Sequence, residues 1–348
     1  MRIAYLTIAF PCLSEQFMRR EVVALLDRGH EVTVFTVRDP DPPRGEAVPG
    51  VEVRHWSDGE ALACFAPDVL YASLGTPAHA RAAHIADQAS TPFVLRLWSG
   101  LDMFQYKSER LYRRITAMPK CRAVIVEDTF TADWAEREMG VVPAKLRIVP
   151  NSVDVDVWKP GEPTGSPPPY VLTVGRFVRK KGIDVLIRAM KEPEWFSVPH
   201  LQAVQLWIVG YGEQEPALRR LAGPNVRFLG QKPVGDLLDL YRGARVCVFP
   251  GVRTPEGDAD GMTTTALEAM AVGRPVMVSD LLSASCYVDA FRGWLLPPGN
   301  VRALSVALRN ALEYRMNSEA RGVEARRWAV EHLDIRDNVV RLEECMQA

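Results

Sequence analysis

No apolar run in the 348-residue chain approaches eighteen residues, which excludes an obvious membrane-spanning helix. Residues 1–10 alternate apolar positions with one charge and lack the cleavage pattern of a signal peptide, so a cytoplasmic protein is expected. The six cysteines, Cys12, Cys64, Cys121, Cys247, Cys286 and Cys345, are scattered and contain no C-x-x-C pair. That excludes a disulfide framework or cysteine-rich metal site and fits reduced, mostly buried thiols. His30, His55, His79, His84, His200 and His332 show no ligand pairing: His79 and His84 lie five apart rather than four, and are expected to face solvent or a helix neighbour. A charge surplus is also missing, with 42 Lys and Arg against 43 Asp and Glu, so nothing points to nucleic acid as a partner. Ser99 has no base in its segment for an acyl-transfer triad. Gly210-Tyr211-Gly212 is like the start of a dinucleotide fingerprint, but Glu215 stands at the third position, where a carboxylate repels a pyrophosphate.

What is present is a repeated strand and helix rhythm in a chain too long for one ordinary core. Short apolar runs at 2–8, 31–37, 51–55, 68–71, 92–98, 122–126 and 146–149 alternate with helical stretches, including 15–27 behind a Ser14 cap. The rhythm restarts at 170–174 and continues through 205–209, 226–229, 245–249, 275–278 and 293–296. Between them lies Lys159-Pro160-Gly161-Glu162-Pro163-Thr164-Gly165-Ser166-Pro167-Pro168-Pro169, which continues neither a helix nor a central strand and is read as the linker. The expected fold is α/β: two Rossmann-like doubly wound domains, 1–165 and 166–330, facing across a cleft. Residues 331–348 are expected to form a helix packing back toward the N-terminal domain.

Two loops carry the chemistry. After the strand at 170–174 come Gly175-Arg176-Phe177-Val178-Arg179-Lys180-Lys181-Gly182, placing fixed cations where a helix opens. Arg179 and Lys180 are read as solvated surface residues, and Arg176 and Lys181 as the anion grip. After the strand at 245–249 an acidic loop, Pro255-Glu256-Gly257-Asp258-Ala259-Asp260-Gly261-Met262, runs into an unbroken helix former from Thr263 to Ala271 that carries Glu268. A helix start presents unpaired N–H groups and partial positive charge, which suit a phosphate. One carboxylate could then sit beside a sugar while the other holds a ribose, against the plainer reading of a capping Asp and a solvent-facing Glu. Asp258 and Asp260 also form an Asp-x-Asp pair, the pattern that holds a divalent metal elsewhere; the expectation here is no metal.

Val174-Gly175-Arg176 to Lys181-Gly182, Ile208-Val209-Gly210-Tyr211-Gly212-Glu213, Asp260-Gly261 to Glu268-Ala269-Met270 and Leu296-Pro297-Pro298-Gly299-Asn300 resemble the C-terminal half of the retaining glycosyltransferases of family four, with the GT-B fold. The first half resembles it more loosely. Phe10-Pro11-Cys12-Leu13-Ser14-Glu15-Gln16-Phe17 is similar to the opening of the colanic-acid and exopolysaccharide subgroup, and Pro150-Asn151-Ser152-Val153-Asp154 to a P-N-G-V-D motif. The resemblance implies that Arg176 and Lys181 bind the donor diphosphate, that Glu268 holds the ribose and that Asp260 faces the transferred sugar. Gly175, Gly210, Gly212, Gly261, Met262, Thr263 and Thr264 complete the implied donor site. Pro11, Leu13 and Ser14 would form a closing loop, with Ser99 and Asp102 on the acceptor side. Two positions depart from the pattern: Asp260 is shorter than the usual Glu, and Trp98-Ser99-Gly100-Leu101-Asp102 carries Ser99 where the H-G-x-D segment has His.

The expected function is therefore a metal-independent, retaining transfer of a hexose from a UDP- or GDP-linked donor, without a cofactor, to a glycan, lipid-linked saccharide or small natural product. A sugar-nucleotide epimerase or hydrolase of the same fold, or a non-catalytic sugar-nucleotide binder, is the alternative. The cationic stretch from Lys107 to Arg122 carries Leu111, Tyr112, Ile115 and Met118 at helical intervals. It reads as a core-facing stripe or as a peripheral contact with the inner face of an anionic membrane.

Overall fold

A computed structural model of the protein describes residues 1–12, 15–40, 45–57, 59–100, 108–196 and 198–348. The expected Leu13, Ser14 and Asp102 positions lie outside them, as does Lys107. The chain divides into two compact units, one made of Met1–Ser152 with Ile335–Ala348 and the other of Val153–Asp334.

Strands that are apolar at every position bury both faces, which is what a parallel sheet covered by helices demands. The strands of unit 1 are β1 (Arg2–Thr7), β2 (Glu31–Thr36), β3 (Glu52–His55), β4 (Val69–Ser73), β5 (Phe93–Arg96), β6 (Cys121–Val126) and β7 (Leu146–Ile148); β1, β2, β4, β5 and β6 are almost wholly buried, whereas the edge strands β3, Glu52-Val53-Arg54-His55, and β7 are largely exposed. They pair in parallel in the order β3-β2-β1-β4-β5-β6-β7, so the direction of winding reverses between β1 and β4. The helix Gln16–Asp27 packs Met18, Val22 and Leu25 on one face of the sheet and also buries Glu21, which accepts hydrogen bonds from the Tyr5 and Tyr71 hydroxyls at 3.0 and 3.1 Å. Arg96 completes this dry network, pairing with Glu21 at 3.0 Å and donating to the Val149 carbonyl at 3.0 Å. The helix begins at Gln16 after Glu15, whose side chain makes no capping bond.

The final helix, Ile335–Gln347, belongs to this unit rather than to its chain neighbour. Val339, Leu342, Cys345 and Met346 enter the same core as Ile3, Tyr5 and Val22, each large apolar side chain contributing on the order of 1.5–3 kcal/mol. Glu343 receives Arg28 Nε at 2.5 Å and His30 Nε2 at 2.6 Å, tying the helix to the turn before β2.

On the other face, the helix Thr76–Ala89 presents small residues, Ala78, Ala82 and Ala86, and sits close to the sheet. His79 on this helix does not face solvent; it is fully buried, within 2.5 Å of the Tyr112 hydroxyl and 3.1 Å of the Arg96 carbonyl. Burial lowers its pKa to about 4, so it is a neutral core residue. His84, one turn further, is exposed. Tyr112 and Ile115 on the helix Glu109–Thr116 are buried in this core, with Leu111 and Met118 packed against it, while Arg110, Arg113 and Arg114 stay exposed. Among the described residues no helix is long and apolar enough to cross a membrane.

Unit 2 repeats the scheme with β8 (Tyr170–Val174), β9 (Gln205–Val209), β10 (Val226–Gly230), β11 (Val246–Phe249), β12 (Val276–Ser279) and β13 (Gly293–Leu296), all parallel, in the order β10-β9-β8-β11-β12-β13. Its winding reverses between β8 and β11. The proline-rich stretch is not the boundary: Val153–Gly165 already belongs to unit 2. The reason is packing. Val153, Val155 and Trp158 are core residues of this unit, and Arg326 Nη1 donates to the carbonyls of Val155, Trp158 and Ala271 at 3.0, 2.9 and 2.8 Å. The prolines then run along the surface of a unit that has already begun.

Candidate active site

The winding reversal of unit 2 puts the loops after β8 and β11 side by side at the carboxyl ends of their strands, where a doubly wound sheet opens a crevice. The Val252 N–H donates to the Lys180 carbonyl at 2.9 Å, pinning the loops together. Gly182 makes that approach feasible: its φ is +60° and a Cβ there would lie 2.0 Å from the Pro250 carbonyl oxygen. A solvent-open pocket of about 490 Å³ lies between the loops, lined by Gly175, Lys181, Pro250, Asp260, Gly261, Met262 and Thr263, with Val174, Ile183, Phe249, Val278, Leu281 and Ala284 among its apolar walls.

Charge is concentrated at one wall. Lys181 Nζ lies 2.7 Å from Asp260 Oδ2, and Lys180 Nζ lies 3.0 Å from Asp260 Oδ1 and 3.1 Å from Asp258 Oδ2. Lys180 is thus not a solvated surface residue: it is only 6% exposed, and its ammonium stands between the two carboxylates of the Asp-x-Asp pair. Burial pushes the Asp260 carboxyl up, but Lys181 and Lys180 pull it down further, and the net result is well below the usual carboxylate range. Asp260 Oδ2 is buried, and although it touches the Lys181 ammonium it has no well-directed hydrogen bond. Among the described residues no group of three or more His, Cys, Asp or Glu side chains is arranged to hold a metal ion. Arg176, two residues past the end of β8, is exposed, and its guanidinium makes no hydrogen bond or ion pair among the described residues.

The helix after the acidic loop is Thr264–Ala271, capped by Thr263, whose hydroxyl accepts from the Ala266 N–H at 3.4 Å. The Met262 N–H points to Ser283 Oγ at 3.4 Å, and Thr265 Oγ1 donates to the Val174 carbonyl at 3.1 Å, fixing the helix start against the end of β8. Glu268 does not face open solvent: it is 4% exposed, does not line the pocket and accepts from the Tyr241 hydroxyl at 3.4 Å. Gly210 and Gly212 serve packing. A Cβ at Gly210 would lie 1.9 Å from the Gly175 carbonyl oxygen, and one at Gly212 2.7 Å from that of Phe177. Their φ values of +140° and +152° are ones only glycine adopts readily.

In unit 1, Ser99 follows β5 and meets Glu127 at the end of β6: the Ser99 N–H and Oγ–H both donate to Glu127 Oε2, at 2.8 and 2.5 Å. Burial, helped by neighbouring Asp128, pushes the Glu127 carboxyl up to about 7, against the opposing pull of Ser99 and Arg96. Glu127, Tyr241 and Ser283 were not picked out from the sequence, Lys180 was read as a solvated surface residue, and Asp258 was noted only as half of the Asp-x-Asp pair. The only local signal among them was the Asp-x-Asp pair, since their partners lie at least two helical turns away in sequence. Pro11 is bound through its carbonyl to the Gly45 N–H at 3.0 Å.

Both halves of the chain match glycosyltransferase models: residues 14–157 match Glycosyltransferase Family 4, and residues 168–314 match Glycosyl transferases group 1. The chain belongs to the family-four type of glycosyltransferase, and the two Rossmann-like units are those of the GT-B fold. It is 24% identical over 417 residues to the putative colanic acid biosynthesis glycosyltransferase WcaL of Escherichia coli, covering 99% of this chain and 98% of that protein. A GDP-mannose-dependent monoacylated phosphatidylinositol monomannoside mannosyltransferase of Corynebacterium glutamicum is 30% identical over 194 residues, about half of each chain. Among solved structures, Anabaena HepE in complex with UDP and glucose has a TM-score of 0.79 at 19% identity, over the full length of both chains.

Proposed function

We propose that this glycosyltransferase moves a hexose, with retention of configuration and without a metal, from a UDP- or GDP-linked donor to a hydroxyl of a glycan, a lipid-linked saccharide or a small molecule. The observation that carries the reading is the pocket at the β8 and β11 crossover, where Lys181 forms one wall beside Asp260 and exposed Arg176 stands just past the end of the adjoining strand. As the bond between the sugar C1 and the diphosphate oxygen breaks, negative charge builds on the leaving group. Cations fixed there are worth more in the transition state than in the ground state. Met262 and Thr263 bring backbone groups at a helix start to the same pocket. The complex of HepE with UDP and the GDP-mannose dependence named for the mannosyltransferase support a nucleoside-diphosphate donor and leave both bases as candidates.

The acceptor reading rests on the relatives named for colanic acid and phosphatidylinositol mannoside synthesis. For a lipid-linked acceptor, exposed Arg110, Arg113 and Arg114 would supply peripheral contact with an anionic membrane, which sedimentation with anionic and neutral vesicles tests.

The decisive experiment incubates the protein with UDP- and GDP-sugars and measures nucleoside-diphosphate release with and without candidate acceptors, and with chelator. Acceptor-stimulated release that chelator leaves unchanged is expected. Release indifferent to acceptor would favour a hydrolase, and binding without release on any donor and acceptor pair a sugar-nucleotide binder.

A further inference from the structure

The proposed role of Lys181 raises a question that its ion pair answers only in part. In the free protein Lys181 neutralises Asp260 at 2.7 Å. An incoming diphosphate competes for the same ammonium, and an Asp260 left without a counter-charge beside that diphosphate would be repelled or driven to take up a proton. We propose that Lys180 is a positioning residue that prevents this, holding the Asp260 carboxylate at the pocket wall when the diphosphate draws Lys181 away, so that Asp260 Oδ2 is released to accept a hydroxyl of the donor sugar. The inference rests on the reading of Lys181 as a diphosphate ligand.

Four observations support it. Lys180 grips the other oxygen, Oδ1, at 3.0 Å, so losing Lys181 frees Oδ2 without freeing the carboxylate. Lys180 cannot follow the diphosphate, because it is 6% exposed, its ammonium is also held by Asp258 at 3.1 Å, and its carbonyl is bound by the Val252 N–H. Oδ2 is buried and its one close polar neighbour among the described contacts is the Lys181 ammonium at 2.7 Å, so it is the oxygen left needing a donor once Lys181 turns to the diphosphate. The cluster of Lys180, Lys181, Asp258 and Asp260 has no net charge, so the attraction for the diphosphate comes from releasing Lys181 and from Arg176. The short side chain of Asp260, one methylene less than the Glu of the family pattern, adds to the need for a tether on its far oxygen.

The test uses Lys180→Met and Lys180→Arg in the full chain, with Asp258→Asn as a second route to the same tether. Calorimetry measures binding of UDP, UDP-glucose, GDP and GDP-mannose, and slow acceptor-free donor cleavage measures turnover. For whichever pair binds, Lys180→Met should leave the nucleoside-diphosphate Kd within about threefold while cleavage falls about thirtyfold, mostly in kcat. Lys180→Arg should recover much of that loss, and Asp258→Asn should reproduce it more weakly. With one of its two cations gone, the acid limb of the cleavage profile should also move to higher pH in Lys180→Met, which a merely structural role would not produce. Equal losses in UDP or GDP affinity and in cleavage would overturn the proposal by making Lys180 a diphosphate ligand itself, and near-normal cleavage would overturn it outright. If Lys180→Met fails to fold, Asp258→Asn decides: unchanged cleavage refutes the tether. Failure of the underlying reading shows separately, as Lys181→Ala binding UDP and GDP as tightly as the parent.

Discussion

Replacing Glu127 by glutamine isolates what it costs to keep one carboxylate dry. The group is 5% exposed, and burial has moved its titration from near 4.5 to about 7, while Ser99 supplies two hydrogen bonds and Arg96 is occupied by Glu21. Each tenfold change in proton affinity is worth about 1.4 kcal/mol, so ionised Glu127 costs unit 1 about 3 kcal/mol relative to the unfolded chain. The sign follows from a folded pKa above the unfolded one. The folded state binds the extra proton between pH 4.5 and 7, so the contribution is fully present below that window and lost as pH rises through it. The amide of the glutamine variant cannot ionise, yet its carbonyl oxygen can accept both Ser99 bonds. Urea unfolding of parent and Glu127→Gln at pH 5 and pH 8.5, followed by hydrogen exchange of β5 and β6 amides, gives a double difference in which other titrating groups cancel. Because pH 5 already lies just inside the window, the variant should gain about 2.5 kcal/mol on the parent between the two pH values. A difference equal at both would refute the account of a dry, proton-binding carboxyl at this position.

Arg176→Ala and Lys181→Ala should each lower kcat/KM for donor cleavage by about a hundredfold or more with melting unchanged; near-normal rates in steady-state assays would contradict the assigned grip. Gly210→Ala drives a methyl to within 1.9 Å of the Gly175 carbonyl oxygen at φ +140° and should destabilise unit 2 by about 3 kcal/mol or more in denaturant titrations. Leu342→Ala should cost about 2–5 kcal/mol, and hydrogen exchange should report the loss in β1 and β4 rather than in unit 2, because Leu342 lies in the core of unit 1.

The two sheets were legible because a buried parallel strand is written locally, as four or five consecutive apolar residues such as Val246–Phe249 followed by a loop. Lys181 and Asp260 could be singled out because each lies in a loop that follows such a strand, and the structure brings the two together at one pocket wall, which Arg176 does not line. What could not be read is what depends on a partner remote in sequence. Lys180 between Arg179 and Lys181 looks like a hydrated run until Asp258, 78 residues on, is brought to it. His79 could face solvent or a helix neighbour until Tyr112, on the helix Glu109–Thr116, is brought to it, and the true start of unit 2 is set by Arg326 reaching back to Val155 and Trp158 rather than by the prolines. Leu13, Ser14 and Asp102 lie outside the described residues.

The Val153 N–H donates to the Leu333 carbonyl at 2.9 Å, and Val153 bridges Asp334, so the entry and exit strands of unit 2 are fastened to one another. Ser152 and Asn338 are bonded likewise on the other side of the crossing, at 3.0 Å. In genetic terms unit 2 is an insert with adjoining ends: its codons run uninterrupted from 153 to 334 between the two separated pieces that encode unit 1.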